Sequence, residues 1–270
     1  MTKHDAYIIH QGDAYTFLRT LPDGYVDAVI TDPPYSSGGV TLSARQAESA
    51  AKYQQSGTVK RYPAMLGDGK DQRSFTAWCM LWLGECRRIA RDGAALLLFT
   101  DWRQLPSMTD ALQGAGWLWL GIVPWNKRSA RPQMGKFRQQ CEYILFASKG
   151  KFTPASRACL PGLYDYAVVA RQKVHITGKP VELLKALMAI TPDGCLVLDP
   201  FLGGGTTAVA ALETGRRCIG VELSPEYAAI ATDRCLATLE CLERRPDCPE
   251  QRVRSNHAAR GEPVQRSGPL

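Results

Sequence analysis

Seven short apolar runs, rich in β-branched and large aliphatic residues, alternate with stretches of helical periodicity, and this alternation restricts the chain more than any other feature. The runs are Ala6–His10, Ala28–Thr31, Ala94–Phe99, Trp117–Val123, Glu142–Ala147, Leu196–Asp199 and Arg217–Glu222. Between them, apolar residues three or four apart predict helices at Phe75–Ala90, Val181–Ile190, Thr206–Glu213 and Pro225–Glu240. Strands joined through helices pair in parallel, because each crossover returns the chain to the end of the sheet it left. The reading is therefore an α/β fold with a doubly wound, mostly parallel sheet. With 270 residues, 45% of them apolar, the chain can bury one substantial core, so a single main domain over residues 1–243 is expected.

Two stretches break the rhythm. Residues 36–74 are rich in Ser, Gly and Gln with several cations, and a connection that long inside a compact domain reads as a functional loop. Residues 244–270 are rich in Arg, Pro, Glu and Ser with almost nothing to bury, which reads as a disordered tail. No apolar stretch is long enough to span a bilayer, and Met1–Asp5 carries no signal-peptide pattern. A cytoplasmic location, in a bacterial or phage-infected cell, is the expectation. The nine cysteines form no Cys-x-x-Cys pair and no His/Cys cluster, so they read as reduced, mostly buried thiols, with neither a disulfide framework nor a metal site.

The net charge of +7 suits an anionic partner, but its distribution is more informative. Between Trp125 and Lys151 seven cations (Lys127, Arg128, Arg131, Lys136, Arg138, Lys149 and Lys151) face one anion, Glu142. Interleaved aromatic, Pro and Gly residues make this a phosphate-contacting loop rather than one solvated helix face.

Leu196-Val197-Leu198-Asp199-Pro200-Phe201-Leu202-Gly203-Gly204-Gly205-Thr206-Thr207 reads as a strand, a glycine-rich turn and a helix start. Such a turn lets a ligand approach the backbone and aims free helix N–H groups at an anion. Glu222, ending the next strand, sits where an acid can take ribose hydroxyls. Together these residues define a nucleoside pocket. The spacing is not that of a P-loop, and by itself it leaves a nicotinamide cofactor and S-adenosylmethionine both open.

Ile30-Thr31-Asp32-Pro33-Pro34-Tyr35 leaves a buried strand directly into two prolines. A double proline stiffens the backbone and removes two donors, leaving carbonyls to accept from a substrate. If the Asp32 carboxylate and the Pro33 carbonyl both accept N–H protons of an exocyclic base amine, the nitrogen lone pair is drawn out of conjugation. Positioning then supplies much of the rate, without a covalent intermediate. Tyr35 offers an aromatic face to the base. To reach an amine inside a duplex, the base must leave the stack.

These two motifs, in this order, resemble those of the beta-group N6-adenine/N4-cytosine DNA methyltransferases, and the resemblance spans roughly residues 6–240. It implies a seven-stranded Rossmann-like methyltransferase sheet with one antiparallel strand, S-adenosyl-L-methionine as cofactor and double-stranded DNA as partner. Asp199, Pro200, Phe201, Gly203, Gly205, Thr206 and Thr207 match the family's cofactor loop, where Ser commonly stands in place of Gly204. Gly12-Asp13 is similar to the family's adenine-contacting acid. His175-Ile176-Thr177-Gly178-Lys179-Pro180 is similar to a segment that packs beside the cofactor, with Ile176 for the usual Pro. This makes Lys179 a candidate cofactor contact. Trp125-Asn126-Lys127 resembles the segment lining the flipped-base pocket, although Trp125 reads equally well as core. Lys127, Arg131, Lys136 and Arg138 are candidate DNA contacts, and residues 36–74 and 127–174 are candidate recognition loops. Asp-Pro-Pro-Tyr is the form usual for adenine enzymes, so N6 of adenine is the expected target and N4 of cytosine the alternative. The absence of a Pro-Cys pair argues against C5 chemistry. Methylation of RNA or protein is a weaker alternative, and a non-catalytic DNA-binding regulator would be expected to have lost Asp32 or the glycine turn. Relatives often form dimers, so the resemblance allows a homodimer.

Overall fold

A computed structural model describes residues 6–36, 70–128, 132, 134–168 and 178–244. The chain begins with β1 (Tyr7–Gln11), α1 (Ala14–Leu18) and β2 (Val26–Thr31). It continues through α2 (Gln72–Ile89), β3 (Ala90–Thr100), α3 (Leu105–Gly114), β4 (Leu118–Asn126), β5 (Cys141–Ser148) and β6 (Tyr164–Asp165). The remaining elements are α4 (Val181–Met188), β7 (Leu196–Asp199), α5 (Thr206–Glu213), β8 (Arg217–Glu222) and α6 (Pro225–Glu243).

The strands form one sheet in the order β1-β8-β7-β2-β3-β5-β4-β6. Pairing is parallel except for β5, which runs against both β3 and β4. The doubly wound, mostly parallel reading therefore holds, with one antiparallel strand; the eighth strand is the two-residue β6, too short to leave a periodic signal. Two helices went unread in the sequence. The α1 segment spans five residues, and α3 starts on Leu105-Pro106 without a side-chain cap. The helix expected to run to Ala90 ends at Ile89, and Ala90 opens β3. With no intervening turn residue, helical periodicity ran through the boundary.

Alternate residues of the central strands enter two cores, one on each face. Val29, Leu96, Leu98 and Leu198 pack with Phe75, Trp82 and Leu83 of α2 and Met108 and Leu112 of α3. Ile30, Leu97, Phe99 and Val197 pack with Leu183, Leu184 and Leu187 of α4, Ala210 of α5 and Ala231 of α6. Each fully buried large apolar side chain contributes roughly 1.5–3 kcal/mol, so strand register is fixed from both faces. Cys79, Cys86, Cys195, Cys218 and Cys235 are free thiols buried in these cores.

Chain order reverses between the neighbours β2 and β7: connections run from β2 toward β3 and from β7 toward β8. Helices α2 and α5, which follow these two strands, pack on opposite faces of the sheet. A crevice therefore opens at the carboxyl ends of β2 and β7. No helix among the described residues is long and apolar enough to cross a membrane. Residues 37–69, most of the expected recognition loop, and residues 245–270 of the expected tail lie outside the described residues.

Candidate active site

The crevice holds a cavity of about 450 Å³ lined by both sequence motifs, Asp32–Tyr35 and Asp199–Gly204 with Thr206 and Thr207. The strand ends supply its groups: Asp32 follows β2, Asp199 ends β7, Glu222 ends β8 and Asp13 follows β1.

One end of the cavity is nucleoside-like. Gly203 N donates to Glu222 Oε2 at 2.8 Å and Ser224 N to Oε1 at 2.8 Å. Burial nevertheless raises the Glu222 carboxyl above its usual range, against these two amides. Gly205 caps α5 in the left-handed region, φ +83°. A Cβ there would lie 2.8 Å from Ala231 Cβ and 2.9 Å from Ala231 Cα, so only glycine lets α5 and α6 pack this closely. Arg234 of α6 donates to the Gly204 carbonyl, which ties the turn to the helix behind it. Asp199 accepts from Thr31 Oγ1 at 2.7 Å and from Phe201 N at 3.0 Å. Its carboxyl is pushed up to about 6, chiefly by burial. Asp13 caps α1, accepting from Thr16 N at 2.8 Å. Phe201 meets Trp82 edge-on at 5.0 Å between centroids, with Trp78 at 5.4 Å, and all three rings line the cavity.

The other end is a charged cluster. Tyr35 Oη donates to Asp32 Oδ1 at 2.5 Å, and Lys179 Nζ donates to Asp32 Oδ2. Lys179 also pairs with Glu142 Oε2 at 3.1 Å, and Lys127 with Glu142 Oε1 at 3.0 Å. Two carboxylates thus face two ammonium groups in a largely buried pocket. Burial raises the Asp32 carboxyl, and Lys179 opposes that rise. For Glu142, burial would act upward, but Lys179 and Lys127 outweigh it and hold the carboxyl below its usual range. Burial would depress Lys179, yet Asp32 and Glu142 keep its ammonium above its ordinary value. Burial and the two carboxylates raise Tyr35 well above the phenol range, so it acts as a donor. The result is an Asp32 carboxyl oriented by Tyr35 and Lys179 beside the rigid Pro33-Pro34 turn.

Against this geometry, the comparisons with known proteins are specific. Residues 26–233 match the model of the N6/N4 DNA methylase family. The chain belongs to that family. The methyl donor of this family is S-adenosyl-L-methionine. The methylase is 30% identical to YubD of Escherichia coli (strain K12), a provisionally named methylase, over 87% of this chain and 92% of that one. It is 28% identical to the type II methyltransferase M.HinfI of Haemophilus influenzae, over 84% of this chain and 67% of the relative. A DNA modification methylase, so named provisionally, from Thermus thermophilus shares the fold with a TM-score of 0.63 at 25% identity, covering 86% of this chain and 95% of that one. The cytosine-N4-specific PvuII DNA methyltransferase shares it at 0.65 and 16% identity, covering 96% of both chains.

The methylase fold brings together Asp13, Asp32, Pro33, Pro34, Tyr35, Lys127, Lys179, Asp199, Pro200, Phe201, Gly203, Thr206, Thr207 and Glu222 around one cavity, with Gly205 just behind its wall. Lys179, expected at the cofactor, has its ammonium on Asp32 and Glu142 at the charged end of the cavity. Trp125 is core, 1% exposed, with Nε1 donating to Tyr166 O at 2.9 Å, and it does not line the cavity. Lys136 and Arg138 are exposed on the β4–β5 connection. Arg131 and His175 lie outside the described residues.

Sequence reasoning treated Glu142 only as the lone anion of a basic segment, yet it is the hub of the cluster. Its position depends on β5 running antiparallel, which puts the start of that strand at the carboxyl ends of its parallel neighbours. Arg234, Trp78 and Trp82 were missed as well, because helical periodicity marks their helices without saying which turn faces the crevice.

Proposed function

We propose that this DNA methyltransferase transfers the methyl group of S-adenosyl-L-methionine to N6 of an adenine flipped out of double-stranded DNA. The observation that carries the reading is the Asp32 carboxyl, held between Lys179 and Tyr35, on the wall of a cavity that the glycine turn and Glu222 also line. About 450 Å³ is within the range of small-ligand sites, and the residues present fit a charged nucleoside. Glu222 suits the ribose hydroxyls. The α5 N-terminus with Gly203, Gly204, Thr206 and Thr207 suits a carboxylate. Asp13 and Phe201 complete the cofactor wall. When bound, the cofactor supplies an electrophilic methyl group.

The chain's own residues prepare the acceptor. Asp32 and the Pro33 carbonyl accept the two N–H groups of the base amine, which turns its lone pair toward the donor. The Tyr35 ring and Phe99 flank the base, and Lys179 and Glu142 hold Asp32 in place. Asp-Pro-Pro-Tyr, the form usual for adenine enzymes, supports N6 over N4.

The test incubates the protein and radiolabelled S-adenosyl-L-methionine with unmethylated genomic DNA, followed by nucleoside mass spectrometry. N6-methyladenine is expected, and Asp32→Ala should abolish it. N4-methylcytosine would overturn the base assignment. Label in RNA or protein but not in DNA would overturn the substrate.

A further inference from the structure

The connection between β4 and β5 carries two apolar side chains almost wholly in water, Phe137 at 92% and Met134 at 100% exposure. The base of this connection is firmly tied. Asn126 pairs with Cys141, and Lys127 N donates to Gln140 O at 2.9 Å. Arg128, at φ +58°, grips Asp165 with two bonds of 2.5 and 2.8 Å. A tied stem makes the exposed tip a presented group. Phe137 stands directly between the exposed cations Lys136 and Arg138. An apolar ring flanked by positive charge is poorly suited to a second copy of a chain that itself carries +7, and well suited to a polyanion with apolar layers between its charged strands.

Its location points the same way. Phe137 and Lys136 face Trp102 and Arg103, which follow β3, across a second cavity of about 700 Å³. The Arg103 guanidinium sits 5.2 Å from the Trp102 ring centroid, and that ring is 47% exposed. Asp101 lines this groove and the Asp32 cavity alike, so the two adjoin at that residue. If duplex DNA occupies this groove, its stack lies beside Phe137 and the Asp32 cavity adjoins it at Asp101.

We propose that Phe137 is a wedge that enters the base stack of the DNA, fills the space vacated by the target base and holds that base in the catalytic cavity, while Lys136 and Arg138 take the flanking phosphates. The proposal rests on the DNA-methylation reading above. It predicts that Phe137 matters only while there is a paired, stacked base to extrude. At 92% exposure, its removal leaves both cores untouched.

The test measures kcat/KM on two oligonucleotide substrates carrying the site mapped from the protein's own methylation pattern. One is fully paired, and the other has an abasic position opposite the target base. Phe137→Ala should lose on the order of tenfold or more on the paired duplex, yet stay within about threefold of the parent protein on the abasic one, since extrusion is easiest from an unpaired position. Phe137→Trp should restore the paired activity. Equal losses on both substrates, or no loss on either, would overturn the wedge and leave methylation standing. Failure of the parent protein to label any DNA would overturn both.

Discussion

Asp32 is a carboxylate that must stay ionised where burial favours the neutral form, and Lys179 is the group that opposes burial. Replacing Lys179 by Met removes that opposition, so the Asp32 carboxyl, already raised, rises further. Because the acceptor form is the ionised one, the acidic limb of the pH–rate profile should move to higher pH. At neutral pH kcat should fall by roughly 10- to 100-fold, as expected when a reacting group loses its positioning. A pH profile of the variant beside the parent protein tests this. A purely structural role for Lys179 would lower activity without moving the limb. The same variant strands Glu142 with one cation, Lys127, and broken buried pairs of this kind cost about 3–5 kcal/mol, so thermal denaturation should be run alongside. None of this balance could be read along the chain. Lys179 and Asp32 are 147 residues apart, and the Lys-Pro dipeptide resembles a cofactor segment without saying which neighbour its ammonium meets.

At the scale of elements, the helix pair α5–α6 sets the depth of the cofactor turn. Gly205→Ala meets two obstacles together: a positive φ that L side chains resist, and Ala231 backbone and Cβ atoms under 3 Å from the new methyl. Strain of this sort costs of the order of 1–3 kcal/mol, and α6 can relieve the contact only by moving away. Gly205→Ala should therefore lower the midpoint of thermal unfolding and weaken S-adenosyl-L-methionine binding by about tenfold or more, read by calorimetry. A variant that binds as the parent does would show that the turn does not hold the cofactor. The glycine triplet was visible in the sequence as a turn before a helix, whereas Ala231, which makes Gly205 obligatory, was not. Element order was similarly legible and strand direction was not. The apolar pattern of β5 is the same whichever way it runs, and only its pairing between β3 and β4 puts Glu142 at the crevice.

For the whole molecule, a net charge of +7 gives DNA binding a strong electrostatic component that salt should erode. On the wedge proposal, Lys136 and Arg138 take phosphates beside the groove. Each phosphate contact contributes about 0.9 to the slope of log affinity against log salt, so the double variant Lys136→Ala/Arg138→Ala should flatten that slope by about 2. The effect should appear equally on DNA with and without the target site, since phosphates carry no sequence. An unchanged slope in a fluorescence-anisotropy titration would remove these two residues from the DNA path.

The sequence by itself determined the α/β class, the two motifs and the family, because alternating hydrophobic periods and contiguous turns are local properties that a one-dimensional string records. It also marked the β4–β5 connection as cationic. Only the tertiary structure decided that Trp125 is core, that the Lys179 ammonium pairs with Asp32 and Glu142, and that Glu142 joins the two lysines. These are consequences of strand order and direction, which bring side chains from β2, β4, β5 and the segment before α4 to one end of the sheet. Charge balance in a buried cluster depends on distances between residues far apart in the chain, and folding alone sets those distances.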